Sequence, residues 1–479
     1  MTHETKKKKS FKEMKVLVAG LARSGIGAAN LLSSLGANVT ITDIKSGSSL
    51  KTHIDRLDPS VKVITGANPE SIFTESDLIV VSPGIPLSIP PIVKAKEEGV
   101  PVIGELELAY QAVQSLAKAP SSVFIGITGT NGKSTTTTLV NLMLIRSGYR
   151  TLLGGNIGNA LTEELTKLSF EGEGLSLDYI VAEISSFQLE SIEDFRPKFA
   201  AILNITPDHL DRYRNIEEYI DAKTRIFENQ QDGDFLILNA DDPVLMQAVN
   251  KELEIRSIRP KTIFFSRRRE VDGIYFKEGF VYCNSSGFRL PTSPFPLLYQ
   301  DEIRIKGLHN IENAMAASAV ALASGCSHEA VADVLRDFSG LEHRMELVKE
   351  FNGVRFINDS KGTNVGAVVK SLESFNSVVL IMGGLDKGSD FRALRNLIAG
   401  KVRALILLGE AKEKIADALG NITETLYVND IIEAVKVSLS KAREGDVVLL
   451  SPGCASFDMF ADFEDRGRKF KEAVRAVVK

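Results

Sequence analysis

Residues 124–135, Phe-Ile-Gly-Ile-Thr-Gly-Thr-Asn-Gly-Lys-Ser-Thr, run from an apolar strand through a glycine-rich turn into a helix. That order suits a phosphate cradle: backbone N–H groups of the turn, Gly129, Thr130, Asn131 and Gly132, can point at a polyphosphate, and the helix expected from Ser134 to about 147 adds the positive end of its dipole. Lys133 would meet the terminal phosphates, and the Ser134 hydroxyl, followed by Thr135, stands where it can ligate a bridging Mg2+. The strict pattern G-x-x-x-x-G-K-[ST] asks for glycine at 127, where this chain has Ile127, so an ordinary strand–helix turn stays open as the alternative.

Three further residues could carry chemistry. Glu183 is an acid inside the apolar stretch Val181-Ala-Glu-Ile and needs a partner or a metal if buried; a carboxylate on an edge strand facing water is the plainer alternative. His209 follows the apolar run 200–204 and stands between acids in Asp208-His-Leu-Asp211, although a lone histidine is more often a surface or capping residue. Lys223 falls in the helical pattern 219–227, where a lysine by default faces solvent.

The elements that would position these residues follow from apolar runs and turn residues. A strand at 15–19, a glycine turn at 20–25, a helix to about 35 and a strand at 38–42 ending at Asp43 form a mononucleotide-binding βαβ unit. Ala22 replaces the middle glycine of the dinucleotide fingerprint, so a nicotinamide cofactor is weakly supported. Ser82 and Gly84 end a second strand of that sheet, at the edge where open α/β folds bind ligands, or form a plain Pro-Gly turn. Short apolar strands at 179–184, 199–204 and 235–239 alternate with helical patterns and imply a parallel sheet; 291–296 reads as a loop and 310–324 as a small-residue helix. A third unit begins near 339–340, with strands at 354–358, 378–382, 404–408 and 447–450.

The expected fold class is therefore α/β with three domains in series: an N-terminal Rossmann-like domain (1–111), a central parallel-sheet domain with the phosphate loop (112–340) and a C-terminal Rossmann-like domain (341–479). With 57 basic and 62 acidic residues the net charge is −5 and the signs are mixed, which argues against a nucleic-acid partner. The run Lys6 to Lys9 reads as a solvated tail, and no apolar stretch reaches membrane-spanning length. Three widely spaced cysteines suit neither a disulfide framework nor a zinc site and point to a reducing cytoplasm.

Taken together, Thr128-Gly-Thr-Asn-Gly-Lys-Ser-Thr135, Glu183-Ile-Ser-Ser-Phe-Gln-Leu-Glu190, Asp208-His-Leu-Asp-Arg-Tyr213, Ala222-Lys-Thr-Arg-Ile-Phe227, His309-Asn-Ile-Glu-Asn313, His343-Arg344, Asn358-Asp-Ser-Lys-Gly-Thr-Asn364 and Ser451-Pro-Gly-Cys-Ala-Ser-Phe-Asp458 resemble the ordered motifs of the Mur ligase family over essentially the whole chain. The resemblance implies an ATP- and Mg2+-dependent ligase of peptidoglycan precursor synthesis, which phosphorylates a substrate carboxylate and joins the acyl phosphate to an amine. It implies two Mg2+ ions, one held by Ser134 and Glu183, the other by Glu183 and His209 with Lys223 as a carbamate. Catalytic roles would then fall to Lys133, Glu183, His209 and Lys223. Asn310 and Asn313 would contact adenine, and Arg344 and Asp359 would reach ATP phosphates and ribose by closure of the third domain. Arg23, Ser24, Asp43, Ser82, Gly84 and Asn156 would hold a UDP-linked muramoyl substrate; Lys45 stands where the family commonly has arginine.

Within the family the motifs resemble the branch that adds D-glutamate to UDP-N-acetylmuramoyl-L-alanine, and the resemblance implies that Thr363, Lys387, Ser456 and Phe463 bind the D-glutamate, whose side-chain carboxylate asks for a cation and donors such as a lysine and hydroxyls. A monomer in the cytoplasm is expected. Two rivals stand: a sister ligase with another acceptor, such as a folylpolyglutamate or diaminopimelate enzyme, and a nucleotide-sensing protein without turnover.

Overall fold

The computed structural model describes residues 10–116, 122–170, 176–209, 212–256, 259–288, 290, 292–386 and 388–478. The basic run Lys6 to Lys9 and Lys387 lie outside these residues. Among the described residues there are three sheets, mainly parallel, as the alternation of apolar runs and helical patterns predicts.

The first sheet has five parallel strands in the spatial order Lys62–Thr65, Asn38–Asp43, Lys15–Ala19, Leu78–Val81, Val102–Gly104. Its central strands are buried on both faces, so they are apolar without interruption. Val16 and Val18 pack to one side and Leu17 and Ala19 to the other, the alternation of a strand.

The second sheet has nine strands: Phe295–Tyr299, Phe280–Asn284, Gly273–Lys277, Lys261–Ser266, Phe235–Asn239, Phe199–Ile202, Val123–Thr128, Tyr179–Glu183, Thr151–Gly155. Six of them, from Lys261–Ser266 to Thr151–Gly155, form the expected parallel core. The last three along the chain depart from the expectation: Gly273–Lys277 joins in parallel, then an antiparallel meander closes that edge. The stretch 291–296 is likewise not all loop, because Pro296 lies within the edge strand Phe295–Tyr299, where a missing N–H costs no ladder bond on the open side.

The third sheet has the order Glu346–Phe351, Val354–Asn358, Val447–Leu450, Val378–Gly383, Val402–Leu408, Glu424–Tyr427, parallel except for its first strand. Two apolar clusters cover its faces. The chain divides into two compact units, residues 1–303 with 311–336, and residues 304–310 with 337–479. The first unit holds the first two sheets. They are joined by the helix Glu105–Leu116, and two buried acids at its start fasten it. Glu105 Oε1 accepts from the Thr162 N–H at 2.8 Å and hydroxyl at 2.9 Å, while Glu107 Oε2 accepts the backbone N–H groups of Glu193, Asp194 and Phe195 at 2.9–3.1 Å.

Candidate active site

The phosphate loop leaves the strand Val123–Thr128, which lies between Tyr179–Glu183 and Phe199–Ile202 in the middle of the second sheet. Ile127 is inside that strand and fully buried, so the position that the strict pattern gives to glycine here serves the core, and the turn begins at Gly129. Gly132 caps the helix Lys133–Arg146 with φ of 84°, a left-handed conformation natural only to glycine. Asn204, at the exit of the neighbouring strand, clamps the turn: its Oδ1 accepts the Asn131 N–H at 2.8 Å and its Nδ2 donates to the Asn131 carbonyl at 3.1 Å. Thr130 is held by Thr206 and by the Tyr219 hydroxyl, 3.0 Å away. Lys133 Nζ donates to the Gly129 and Thr130 carbonyls, both at 2.8 Å.

Glu183 ends its strand level with Ile127 and is 1% exposed, which removes the alternative of an edge carboxylate in water. Asn156 donates to Oε1 at 2.7 Å, and the Asn156 N–H donates to the Glu183 carbonyl at 2.9 Å. Oε2 is buried and has no hydrogen-bond partner among the described residues. A buried anionic oxygen left unpaired is costly unless a cation meets it. With the Ser134 hydroxyl near the turn, this is a hard-oxygen donor set that suits Mg2+ completed by substrate phosphates. Among the described residues no group of three or more His, Cys, Asp or Glu is placed to hold a metal ion.

Lys223 does not face solvent. The helix Ile216–Thr224, capped by Asn215 through the Glu218 N–H, turns it inward to 1% exposure. Its Nζ donates to the Gly129 carbonyl at 3.0 Å and lies 4.6 Å from the centre of the Tyr219 ring, one helical turn earlier. Lys133 uses the same carbonyl. Burial, and then the positive charge of Lys133, hold the Lys223 ammonium well below the ordinary lysine range. His209 sits at the loop exit of the second sheet with φ of 55°, strained for a non-glycine residue, and its ring meets the edge of Phe187 at 4.7 Å. Leu210 and Asp211 of that motif lie outside the described residues.

The structure brings the candidate UDP-substrate residues to the same side. Arg23 opens the helix Arg23–Ser34, next to Ser24, and its Nη1 donates at 2.6 Å to the Gly158 carbonyl in the loop that carries Asn156. Both carboxylate oxygens of Asp43 accept loop N–H groups, Oδ2 from Leu21 and Oδ1 from Lys45, each at 2.9 Å. Ser82 is buried and donates to the Gly20 carbonyl at 3.1 Å, while Gly84 is exposed.

Asn313 belongs to the first unit, where its Oδ1 packs against Gly132; Asn310 belongs to the second and donates to the Lys306 carbonyl at 2.8 Å. In the second unit Asp359 follows the strand Val354–Asn358. It is buried, accepts from the Ser371 and Ser451 hydroxyls at 2.7 and 2.8 Å, and burial pushes its carboxyl up to about 6. Arg344 lies between His343 and Met345, both with positive φ. Near the segments that carry Thr363, Ser456 and Phe463, sequence reasoning missed one buried residue. Arg466, 1% exposed, donates to the Ser360 hydroxyl and carbonyl at 2.9 and 2.8 Å and to the Cys454 and Ala455 carbonyls at 3.2–3.3 Å. Its only sequence signal is an arginine on the apolar side of the helix Phe463–Val477. Asn204 and Tyr219 were also missed, although both stand within the quoted motifs or beside them.

Comparison with known proteins agrees with this geometry. Family models match in chain order: the Mur ligase MurD-like N-terminal domain over residues 14–104, the Mur ligase middle domain over 127–321, and the Mur ligase glutamate ligase domain over 343–454. The UDP-N-acetylmuramoylalanine–D-glutamate ligase of Geotalea daltonii is 45% identical over 98% of both chains, and that of Geobacter metallireducens 44% identical over 96% of this chain and 97% of its own. The chain belongs to the Mur ligase family. Among solved structures, the MurF ligase of Thermotoga maritima matches with a TM-score of 0.59 at 15% identity over 92% of this chain and 94% of its own. The UDP-N-acetylmuramate-alanine ligase MurC of the same organism matches with 0.58 at 18% over 97% and 100%. At such identity these two show a shared fold and nothing finer. No helix among the described residues is long and apolar enough to cross a membrane.

Proposed function

We propose that this chain is the ligase that adds D-glutamate to UDP-N-acetylmuramoyl-L-alanine, with conversion of ATP to ADP and phosphate, in peptidoglycan precursor synthesis. The full-length likeness to D-glutamate ligases supports the acceptor. The observation that carries the chemistry is the buried, unpartnered Oε2 of Glu183 beside the phosphate turn.

In this reading the substrate carboxylate attacks the γ-phosphorus of ATP, ADP leaves, the D-glutamate amine attacks the acyl carbon, and phosphate departs as the amine loses its proton. Two anions must meet in the first step, so positive charge and N–H donors at the turn lower the barrier. Lys133 would exchange its contacts with the Gly129 and Thr130 carbonyls for phosphate oxygens, and the N–H groups from Gly129 to Thr135 would bind the others. Mg2+, when bound, would neutralise the bridging oxygens and the attacking carboxylate, held at one position by Ser134 and Glu183 and at a second by Glu183, His209 and Lys223. Asn156 fixes the rotamer of Glu183 and so sets the direction of its other oxygen.

Lys223 is read as a carbamate in the working enzyme: its neutral amine forms an N–C bond with carbon dioxide and releases a proton. Burial favours that neutral amine, and the product would turn a lysine–lysine pair on one carbonyl into an attractive carbamate–lysine pair. Arg23, Ser24, Asp43, Ser82, Gly84 and Asn156 are assigned to the UDP-substrate, Asn310, Asn313, Arg344 and Asp359 to ATP, and Thr363, Ser456 and Phe463, with Lys387, to D-glutamate. Domain boundaries at 111/112 and 340/341, a monomer and a cytoplasmic location complete the reading.

The test is phosphate release from ATP and Mg2+ with UDP-N-acetylmuramoyl-L-alanine, offering D-glutamate, L-glutamate, L-lysine and diaminopimelate singly. Release with D-glutamate alone is expected. Release with another amino acid overturns the acceptor, and none with any supports a sensor.

A further inference from the structure

The mechanism gives no task to Arg212, although it stands in the Asp208–Tyr213 motif. Its guanidinium joins parts of the first unit that carry different ends of the proposed site. Nη1 donates at 3.0 Å to the carbonyl of Pro83, between Ser82 and Gly84 at the carboxyl edge of the first sheet. Nη2 donates at 2.6 Å to Glu190 Oε2, in the segment that follows Glu183 in the second sheet. The carbon of the guanidinium lies 4.3 Å from the centre of the Phe187 ring, the ring that also meets the His209 imidazole.

Glu190 is itself fixed. Its Oε1 accepts the Tyr213 hydroxyl at 2.6 Å, and its carbonyl accepts Arg225 Nη1 at 2.7 Å. Arg225 also donates to the Ile192 carbonyl at 2.8 Å, and the Ser191 carbonyl between them accepts the Gly104 N–H of the first sheet. The arginine therefore spans from an anchored point on one sheet to a loop on the other. Only a planar fork can hold two acceptors at set angles while its face lies on a ring; a lysine ammonium is a point charge and cannot do all three.

We propose that Arg212 is a positioning residue, which sets the register between the loop 82–84 and the His209 segment. One end of the UDP-linked substrate and its reacting carboxylate are thereby held at one spacing. This rests on the assignment of loop 82–84 to that substrate and of His209 to the reacting end. Among the described residues Arg212 contacts Pro83, Glu190 and Phe187 and not the phosphate turn, so its effect falls on the UDP-linked substrate.

The experiment compares R212K, E190Q and the double variant with the wild-type enzyme, measuring KM for each substrate, kcat and the thermal midpoint. R212K is expected to raise KM for UDP-N-acetylmuramoyl-L-alanine about tenfold, the worth of one charge-assisted contact, with KM for ATP within about twofold. Because both residues act through one strut, the double variant is expected to be no worse than the poorer single variant. Unchanged KM values overturn the proposal, as do additive losses or a fall in kcat alone that follows the folded fraction. If R212K does not fold, F187L, which removes the platform and keeps both hydrogen bonds, carries the same expectation for the same KM. A wild-type enzyme without D-glutamate-dependent phosphate release would instead overturn the functional reading, whereas an active wild type with a normal R212K overturns only the strut.

Discussion

Replacing Gly132 by alanine separates what the phosphate turn demands of its backbone from what it demands of its surroundings, because the same helix supplies a control. Gly132 has φ of 84°, and a Cβ built there would lie 2.2 Å from Asn313 Oδ1 and 3.4 Å from Leu203 Cδ1. Gly148, two residues beyond the other end of the helix, has φ of 87° and would place its Cβ within 4 Å of no atom of the described residues. A left-handed alanine costs about 1.5 kcal/mol, from which about 0.5 is recovered by the lower entropy of the unfolded chain, so Gly148→Ala should cost about 1 kcal/mol. Gly132→Ala carries the same term and must also displace the Asn313 carboxamide by about 1 Å, which adds about 1–1.5 kcal/mol for a strained rotamer. The sum is about 2–2.5 kcal/mol. Because N–H groups of the turn shift with it, ADP affinity should fall at least about tenfold in Gly132→Ala and stay unchanged in Gly148→Ala. Urea unfolding followed by a probe in the first unit gives the stabilities, and calorimetric titration with ADP gives the affinities. Equal stability costs for the two variants, or wild-type ADP binding by Gly132→Ala, would refute the reasoning.

Other expectations concern the buried ionisable groups. Lys223→Ala should lose activity by at least about a thousandfold, as expected for a metal-supporting group, and recover in part with acetate or propionate; absence of rescue in phosphate-release assays would count against the carbamate. Burial disfavours the Lys223 ammonium in the fold, whereas the unfolded chain binds that proton up to the ordinary lysine range near 10.4, so the contribution of this group to stability rises with pH towards that range. The stability of Lys223→Met should lack that rise with pH, as read from urea midpoints. Asp359, pushed up to about 6 by burial, acts in the opposite sense: its contribution is present below about pH 4 and lost as pH rises through 6. Asp359→Asn should flatten the stability profile of the second unit over pH 4–6.5 by about 3 kcal/mol at most, and an unaltered profile would show that the carboxyl titrates normally. Glu183→Gln should remove the Mg2+-dependent part of the thermal stabilisation given by a nonhydrolysable ATP analogue and leave the Mg2+-independent part; equal Mg2+ dependence in both proteins would release Glu183 from its role.

The central parallel strands of each sheet, such as Lys15–Ala19, Phe199–Ile202 and Val378–Gly383, were legible because strands buried on both faces must be apolar throughout, whereas Lys62–Thr65, Val102–Gly104, Thr151–Gly155, Lys261–Ser266 and Glu424–Tyr427 were not read as strands. The edge meander 273–299 was not legible either, since antiparallel pairing depends on which neighbour an edge strand meets and not on its own composition. Among the candidate residues, the phosphate turn was readable because its N–H groups and its lysine are contiguous in sequence, so local backbone geometry suffices to build it. Glu183 was readable as an anomaly, an acid in an apolar run.

By itself, then, the sequence determined the order of the units, the phosphate turn, the acid in the strand beside it and the family motifs, all of which are properties of short contiguous segments. Tertiary structure alone decided that Lys223 points inward to share a carbonyl with Lys133, that Glu183 is left with one unpaired oxygen, and that Arg466 and Arg212 tie distant loops together. A helical pattern states which residues share a face but not what that face will meet. Whether a lysine or arginine there is solvated or buried depends on partners that lie about a hundred residues away, such as Gly129 for Lys223 and Ser360 for Arg466.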